Sequence, residues 1–228
     1  MEDKIDLRKL KTIVFTRFLG GFIVIGLMLF LSAGTFDYWE AWLYCAIIMV
    51  PMLFVGSYLL KKDPALLERR MRLKEKESKQ KKIVSVSALV FFIGFLIPGL
   101  DHRFGWSNMP AEVALAADAF VFLGYVFTSL VLRENSYASR VIEVEKGQKV
   151  ISTGPYALVR HPMYLGMSIL ILATPIALGS YWALLAFLPI PPMLALRLLN
   201  EEEMLLRELP GYGEYRRKVR YRLIPFIW

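Results

Sequence analysis

The sequence predicts an all-α integral membrane protein of about six transmembrane helices, the last two forming a C-terminal helical hairpin. Its 228 residues are 56% hydrophobic with a mean hydropathy of +0.46, more apolar than a soluble domain of this length. The apolar residues also form runs close to the roughly 20 residues that a helix needs to cross a bilayer. These runs cover residues 13–33, 39–60, 83–100, 113–132, 163–178 and 181–199.

The last two runs are separated only by Gly179 and Ser180, which predicts a tight hairpin between two short helices. A proline inside a helix removes a backbone hydrogen bond and kinks the helix. Membrane proteins tolerate such kinks where neighbouring helices satisfy the freed backbone groups. We expect kinks in this hairpin at four prolines: Pro175, Pro189, Pro191 and Pro192.

The distribution of charge predicts the orientation of the chain. If the N-terminus is cytoplasmic, every lysine and arginine except Arg103 falls on the cytoplasmic side or at its edge, as membrane proteins prefer. This predicts a multi-pass protein whose N- and C-termini are both cytoplasmic.

We interpret the basic segment 61–82 mainly as a topology signal, with a helix lying on the membrane surface as a second interpretation. It has no interleaved aromatic residues or binding motif, so we expect no nucleic-acid partner despite the net charge of +8.

A few residues indicate whether the chain has a cleaved signal peptide, a disulfide or a metal site. The first apolar run follows Lys4 and other basic residues, yet it exceeds a signal-peptide core and lacks a convincing cleavage site, so we expect a retained helix. Cys45 is the only cysteine, which excludes an intrachain disulfide. His102 and His161 are predicted on opposite sides of the membrane, so we expect no bound metal. The sequence does not indicate an oligomeric state.

Asp118 is a carboxylate inside the fourth predicted helix. An intramembrane carboxylate is a candidate functional residue, and a transporter would need polar residues at mid-span. The alternative is that Asp118 lies near the outer edge and is hydrated or hydrogen-bonded. We favour this alternative, which leaves a transporter as a remote hypothesis.

Polar residues are concentrated on both sides of the hairpin, in segments 133–162 and 197–225. Because the hairpin is tight, the two segments should meet at one cytoplasmic site. We therefore divide the chain into a four-helix transmembrane region, residues 1–132, and a region that carries the site, residues 133–228.

The first segment contains an anion-binding pattern at the start of a helix. Pro162 suits the first helical turn, which places His161 at the N-cap. Free backbone N–H groups there favour an anion, and Arg160 adds a full positive charge. With two aromatic neighbours, Tyr156 and Tyr164, the segment predicts a pocket for a carboxylate or phosphate. A membrane-edge anchor is the alternative.

The second segment places charged residues at helical spacing. Arg197 and Glu201 are four residues apart, so they share a helix face and can pair. Glu202 and Glu203 add negative charge where basic residues would serve topology better. A site that joins Arg197, Glu201 and the first segment could bind a zwitterionic ligand. The alternative is a solvated helix end whose carboxylates pair with Arg207.

Three motifs carry a family resemblance: VISTGPYALVRHPMYLG, RLLNEEEMLL and GYGEYRRKVRYRLIP. In that order they resemble the isoprenylcysteine carboxyl methyltransferase family, which is related to membrane-embedded phospholipid methyltransferases. The resemblance covers about residues 133–225. It implies a membrane enzyme with a cytoplasmic pocket for S-adenosyl-L-methionine, which becomes S-adenosyl-L-homocysteine, and a lipid or lipidated small molecule as acceptor within the bilayer.

Site residues follow from matching these motifs position by position. Arg197 matches an arginine on the acceptor side, and we expect Arg197 and Glu201 to take part in catalysis. Arg160 and Glu202 join the predicted cofactor site through their charge and position. The predicted cofactor-binding residues are Gln148, Lys149, Val150, Ile151, Tyr156, Arg160, His161, Pro162, Met163, Tyr164, Glu201 and Glu202.

The sequence leaves the identity of the methyl acceptor open. Carboxyl O-methylation of an isoprenylcysteine-like compound is the family's named activity, and N-methylation of an ethanolamine phospholipid is the alternative. Prenylcysteine enzymes usually carry bulkier residues than Leu158 and Val159 before this motif. A non-catalytic membrane protein on the same fold is a further alternative. The aromatic and basic tail, residues 212–228, either caps the cofactor pocket or anchors the chain at the membrane surface.

Overall fold

The computed structural model describes residues 5–73, 75 and 78–228, and all regular structure in these ranges is helical. Lys4 and residues 74, 76 and 77 of the basic segment lie outside the described residues. The helices are α1 (Leu7–Ala33), α2 (Trp39–Lys62), α3 (Pro64–Arg70), α4 (Ser78–Phe104), α5 (Ala111–Glu134), a 3₁₀ turn (Gly154–Ala157), α6 (Pro162–Ala177), α7 (Tyr181–Phe187), α8 (Ile190–Glu208) and α9 (Tyr212–Lys218).

The prediction of an all-α membrane protein is confirmed. Five helical segments in the described part of the chain are long and apolar enough to cross a bilayer: α1, α2, α4, α5 and the combined span Tyr181–Glu208. The shorter α6 has 16 residues and is also apolar. Each of the six predicted apolar runs therefore coincides with a helix or with two consecutive helices.

The hairpin between α6 and α7 forms at the predicted turn. Gly179 has a φ of +72°, a backbone conformation that suits glycine, and the Ser180 side chain accepts a hydrogen bond from the Ala183 N–H at 3.0 Å. The second arm is interrupted between Phe187 and Ile190, next to the predicted prolines. It then continues past the predicted end at residue 199 to Glu208, because the charged last turns extend the same helix.

Close packing of α5 against α6 supports the site. A Cβ atom on Gly124 would lie 2.9 Å from the Leu170 nitrogen, and a Cβ atom on Gly166 would collide with the Thr128 hydroxyl. These glycines therefore let the two backbones approach closely, as small residues do in membrane helix pairs. The N-terminal end of α6 is thereby held against the C-terminal end of α5.

The short helix α3 and the residues after it contact the segment 135–145, so the basic segment is more than the topology signal that we predicted. We call Arg69, Arg70, Arg72 and Glu75 the strap. Their contacts run from Arg69 Nη1 to the Ser136 carbonyl (2.9 Å), from Arg70 Nη1 to the Ser139 carbonyl (3.3 Å), from Arg72 to Glu143 and Glu145, and from the Ile142 N–H to Glu75 Oε2 (3.3 Å).

The predicted hydrogen bond of Asp118 to a protein group is not found among the described residues. Its side chain on α5 is 2% exposed, and neither carboxylate oxygen has a hydrogen-bond partner among the described residues. Asp101 is buried to the same extent but accepts hydrogen bonds from the Ser107 N–H (2.6 Å), the Ser107 hydroxyl (2.7 Å) and the Ser180 hydroxyl. Asp101 thus ties the end of α4 to the hairpin turn.

Candidate functional site

A cavity of about 630 Å³ lies where α1, α4, α6, α8 and α9 meet the segment 135–151. This volume falls within the range of small-molecule sites. One end is polar and is lined by Gln148–Ile151, Tyr156 and His161. The other end is apolar and is lined by α1 and α4 residues such as Val24 and Phe91. We call this second part the apolar arm.

Helix α8 presents one face along the whole cavity. Ile190 and Leu194 line the apolar arm, and Glu201 and Leu205 line the polar end, with Arg197 between them. These residues recur every three or four positions, as expected for one side of a helix. Arg197 therefore marks the boundary between the two parts of the cavity.

His161 occupies the predicted N-cap of α6 and is almost fully buried. Burial lowers the pKa of its imidazole below the ordinary value of 6.5, so the ring is neutral at neutral pH. Its Nε2 lies 3.5 Å from the Tyr212 hydroxyl and 4.0 Å from Glu202 Oε1. A neutral ring can both donate and accept a proton, depending on its tautomer.

Arg160 also reaches the cavity wall, but its guanidinium is occupied by protein groups. Its Nε donates to Glu202 Oε1 at 2.6 Å, and its Nη1 donates to the Val219 carbonyl at 2.8 Å and the Arg220 carbonyl at 2.7 Å. The charge that we expected to face an anion therefore holds the C-terminal tail.

Glu202 is 3% exposed and bridges two arginines, with Arg222 Nε 2.8 Å from its Oε2. It lies behind the cavity wall, as does Pro162 at the start of α6. The other predicted site residues line the cavity together: Gln148, Lys149, Val150, Ile151, Tyr156, Arg160, His161, Met163, Tyr164, Arg197 and Glu201.

Arg197 and Glu201 share a helix face as predicted, but their partners are not those that the spacing suggested. Arg197 Nη2 forms an ion pair with Glu75 Oε1 at 2.8 Å. Its Nη1 donates to Gln80 Oε1 at 3.0 Å. Glu201 accepts a hydrogen bond from the Tyr164 hydroxyl at 2.6 Å.

Several cavity residues, among them Asn135, Tyr212 and Tyr215, were not among the predicted site residues. On one wall, the Tyr215 hydroxyl donates to the Tyr156 carbonyl at 2.8 Å and the Asn135 amide donates to the Tyr156 hydroxyl at 2.9 Å. Burial raises the pKa of Tyr156 to about 12, so the phenol stays neutral. Tyr212 and Tyr215 lie on α9, and the tail therefore caps the cavity. The motif GYGEYRRKVRYRLIP and the aromatic composition of the tail were the available signals.

Two comparisons with known proteins agree with this architecture. The family model described as phospholipid methyltransferase matches residues 113–212. A solved structure of a eukaryotic intramembrane Ras methyltransferase, isoprenylcysteine carboxyl methyltransferase, is similar with a TM-score of 0.53 and 21% identity. The similarity covers 90% of this chain and 73% of that chain.

The chain therefore shares the helical membrane fold of that solved structure, and its residues 113–212, which include α6 and α8, match the phospholipid methyltransferase family model.

Proposed function

We propose that the protein transfers a methyl group from S-adenosyl-L-methionine to the polar head of a lipid-like acceptor. The observation that carries this proposal is the continuity of the cavity, which joins the predicted cofactor residues to an apolar arm between membrane helices. A donor bound at the polar end and an acceptor tail in the arm would meet near Arg197. We place the site in residues 133–228, with residues 1–132 supplying most of the apolar wall.

The residues at the polar end fit the chemical groups of this cofactor. Glu201 can accept from an ammonium or from ribose hydroxyls, and the N-terminus of α6 favours a carboxylate. The rings of Tyr156, Tyr212 and Tyr215 can lie against a sulfonium cation, as aromatic faces do with other cations. The cofactor supplies an electrophilic methyl group with a good leaving group. The protein therefore mainly has to align the reactants and exclude water.

The first candidate acceptor is the carboxylate of an isoprenylcysteine-like compound, which the similarity in fold favours. Its hydrocarbon tail would be stabilised in the apolar arm by about 0.8 kcal/mol for each buried methylene. A carboxylate is already a nucleophile, so this reaction needs no general base. The head would lie at the boundary that Arg197 marks.

The second candidate is the amine of an ethanolamine phospholipid. It is favoured by the ion pair between Arg197 and Glu75, which neutralises the arginine that was expected to bind an acceptor carboxylate. An amine must lose a proton before or during the transfer. The neutral ring of His161 and the carboxylate of Glu201 are the candidates to accept it.

Calorimetric titration of the purified protein with S-adenosyl-L-homocysteine tests the cofactor site. We expect saturable binding that His161→Ala and Glu201→Ala abolish, whereas Arg197→Ala keeps part of it and loses turnover. Arg133→Gln, at the exposed end of α5, is the control and should bind normally. A radiolabelled-methyl assay then compares prenylcysteines with aminophospholipids.

Absence of binding by a folded, monodisperse sample would refute the methyltransferase proposal. Tight binding by the Glu201→Ala variant would refute only the role of Glu201 at the cofactor.

A further inference from the structure

Three arginines line the cavity, Arg70, Arg140 and Arg197, and the charges of the last two act on Arg70. The Arg140 N–H donates to the Arg69 carbonyl at 3.4 Å, and Arg70 Nη1 donates to the Ser139 carbonyl at 3.3 Å. Arg197 Nη2 donates to the Arg140 carbonyl at 2.8 Å. The strap and the segment 135–145 therefore bring Arg70 and Arg140 to the boundary where Arg197 lies.

Only one of the three has a carboxylate partner among the described residues, and that is Arg197 with Glu75. Arg70 contacts the Ser139 carbonyl and Met163 Sδ, the latter at 3.5 Å, and forms no ion pair within 4.0 Å in the described part of the chain. The Arg140 guanidinium makes neither an ion pair nor a hydrogen bond there.

The other carboxylates on the cavity wall are engaged elsewhere. Glu143 is paired with Arg72, and Glu201 accepts the Tyr164 hydroxyl. Among the described residues, neither Arg70 nor the exposed Arg140 forms an ion pair of its own, and Glu75, the carboxylate that acts on Arg140, is already paired with Arg197. Burial lowers the pKa of Arg70, and the neighbouring charge of Arg140 lowers it further. An anion bound between these groups would relieve both the desolvation and the repulsion.

The position of the pair indicates which part of a ligand it would contact. Arg70 lies beside Met163 at the mouth of α6, and Arg140 lies beside Arg197 at the boundary with the apolar arm. A ligand whose hydrocarbon tail occupies the arm would place its headgroup here. Guanidinium groups suit oxyanions because their N–H donors match the oxygen geometry.

We propose that Arg70 and Arg140 form an anion subsite that binds the singly charged oxyanion of an acceptor headgroup, a phosphodiester or a carboxylate attached to an apolar chain. The assignment to the acceptor rests on the proposed function, whereas binding of an anionic lipid does not require turnover.

Lipid binding to the detergent-purified full chain tests the subsite directly, by native mass spectrometry with three probes. The probes are phosphatidylglycerol, which carries a phosphodiester, oleate, which carries a carboxylate, and uncharged diacylglycerol. We expect Arg140→Gln and Arg70→Lys to weaken binding of an anionic probe, Arg140→Gln by about tenfold, the loss of one charge-assisted hydrogen bond. Diacylglycerol binding should not change, and the control Arg133→Gln should bind all three probes normally.

The two anionic probes distinguish a phosphodiester from a carboxylate as the preferred oxyanion. Equal loss of anionic and neutral lipid in Arg140→Gln would overturn the proposal, as would no loss of either. So would reduced affinity for S-adenosyl-L-homocysteine with lipid binding intact, because the anion would then be the cofactor's carboxylate. If the wild type binds no S-adenosyl-L-homocysteine, the proposed function fails while the lipid measurement still decides on the subsite.

Discussion

At the scale of single residues, two buried aspartates have opposite environments. Asp101 accepts three hydrogen bonds and joins α4 to the hairpin turn, whereas both oxygens of Asp118 lack a partner among the described residues. Burying a polar group without a hydrogen bond costs free energy, but a hydrogen-bonded group largely avoids this cost. The same side chain should therefore stabilise the fold at one position and destabilise it at the other.

Replacement of each aspartate by leucine should change stability in opposite directions. Asp118→Leu should raise the thermal unfolding midpoint, because it removes a buried group whose desolvation costs about 1–3 kcal/mol. Asp101→Leu should lower the midpoint, because three donors lose their acceptor. Thermal unfolding in detergent, followed by tryptophan fluorescence, measures both. A lower midpoint for Asp118→Leu would mean that this carboxylate has a stabilising partner.

Acid sensitivity should arise in part at His161. Burial lowers the pKa of this ring, so below pH 6.5 the unfolded chain binds a proton that the folded protein does not. Stability should therefore fall as the pH drops below about 6.5, by at most about 1.4 kcal/mol per pH unit. Glu201 and Glu202 oppose this loss by favouring the protonated ring, and Arg160 and Arg222 increase it.

Thermal unfolding of the wild type and His161→Gln between pH 5.5 and 7.5 measures this contribution. The difference between their midpoints should shift in favour of the variant at the acidic end. A difference independent of pH would show that His161 does not titrate between the two states.

At the scale of elements, the C-terminal tail is attached to the start of α6. Glu202 pairs with Arg160 before α6 and with Arg222 in the tail. The Arg160 N–H donates to the Tyr221 carbonyl and the His161 N–H to the Arg222 carbonyl, both at 2.9 Å. Because α9 contributes Tyr212 and Tyr215 to the cavity, this attachment also positions part of the cavity wall.

Glu202→Gln should detach the tail and weaken binding of S-adenosyl-L-homocysteine. Removing one partner of a buried ion pair typically costs about 3–5 kcal/mol, because the remaining charge stays buried without compensation. The adjacent Glu203 is exposed, so Glu203→Gln is a matched control that should change neither stability nor affinity. Calorimetry together with thermal unfolding measures both. Equal behaviour of the two variants would contradict the role given to Glu202.

The elements differ in how far the sequence could predict them. The apolar runs predicted the long helices, and Gly179 and Ser180 predicted the turn, because both signals are local. The partners of Arg197 could not be predicted in this way, since Glu75 lies far away in the chain and is brought in by the packing of α3. Helical spacing identified which residues share a face, but not which residue each one contacts.

At the scale of the whole molecule, the positive charge gathers at the end of the helical bundle that carries the strap, the cavity mouth and the tail. The distribution of lysine and arginine predicts that this end is cytoplasmic. A cofactor made in the cytoplasm would then reach the polar end of the cavity directly, and a lipid would reach the apolar arm from the bilayer.

Labelling of single cysteines in intact cells tests this orientation. In a Cys45→Ala background, Lys146→Cys should react only after the membrane is permeabilised, whereas Asn108→Cys, after α4, should react from outside. Both positions are exposed in the structure. The reverse pattern would invert the predicted orientation, and labelling of both sites from outside would refute the six-span topology.

The backbone hydrogen bonds from Arg160 and His161 to residues 221 and 222 also impose an order on biosynthesis. The ribosome delivers the N-terminal helices first, and α1 to α6 can enter the membrane before the tail has been translated. Arg160 and the backbone of His161 cannot form their hydrogen bonds until residues 219–222 have been translated. The helices are therefore inserted before the site is complete, and the protein should acquire its binding site only after residues 219–222 have been translated.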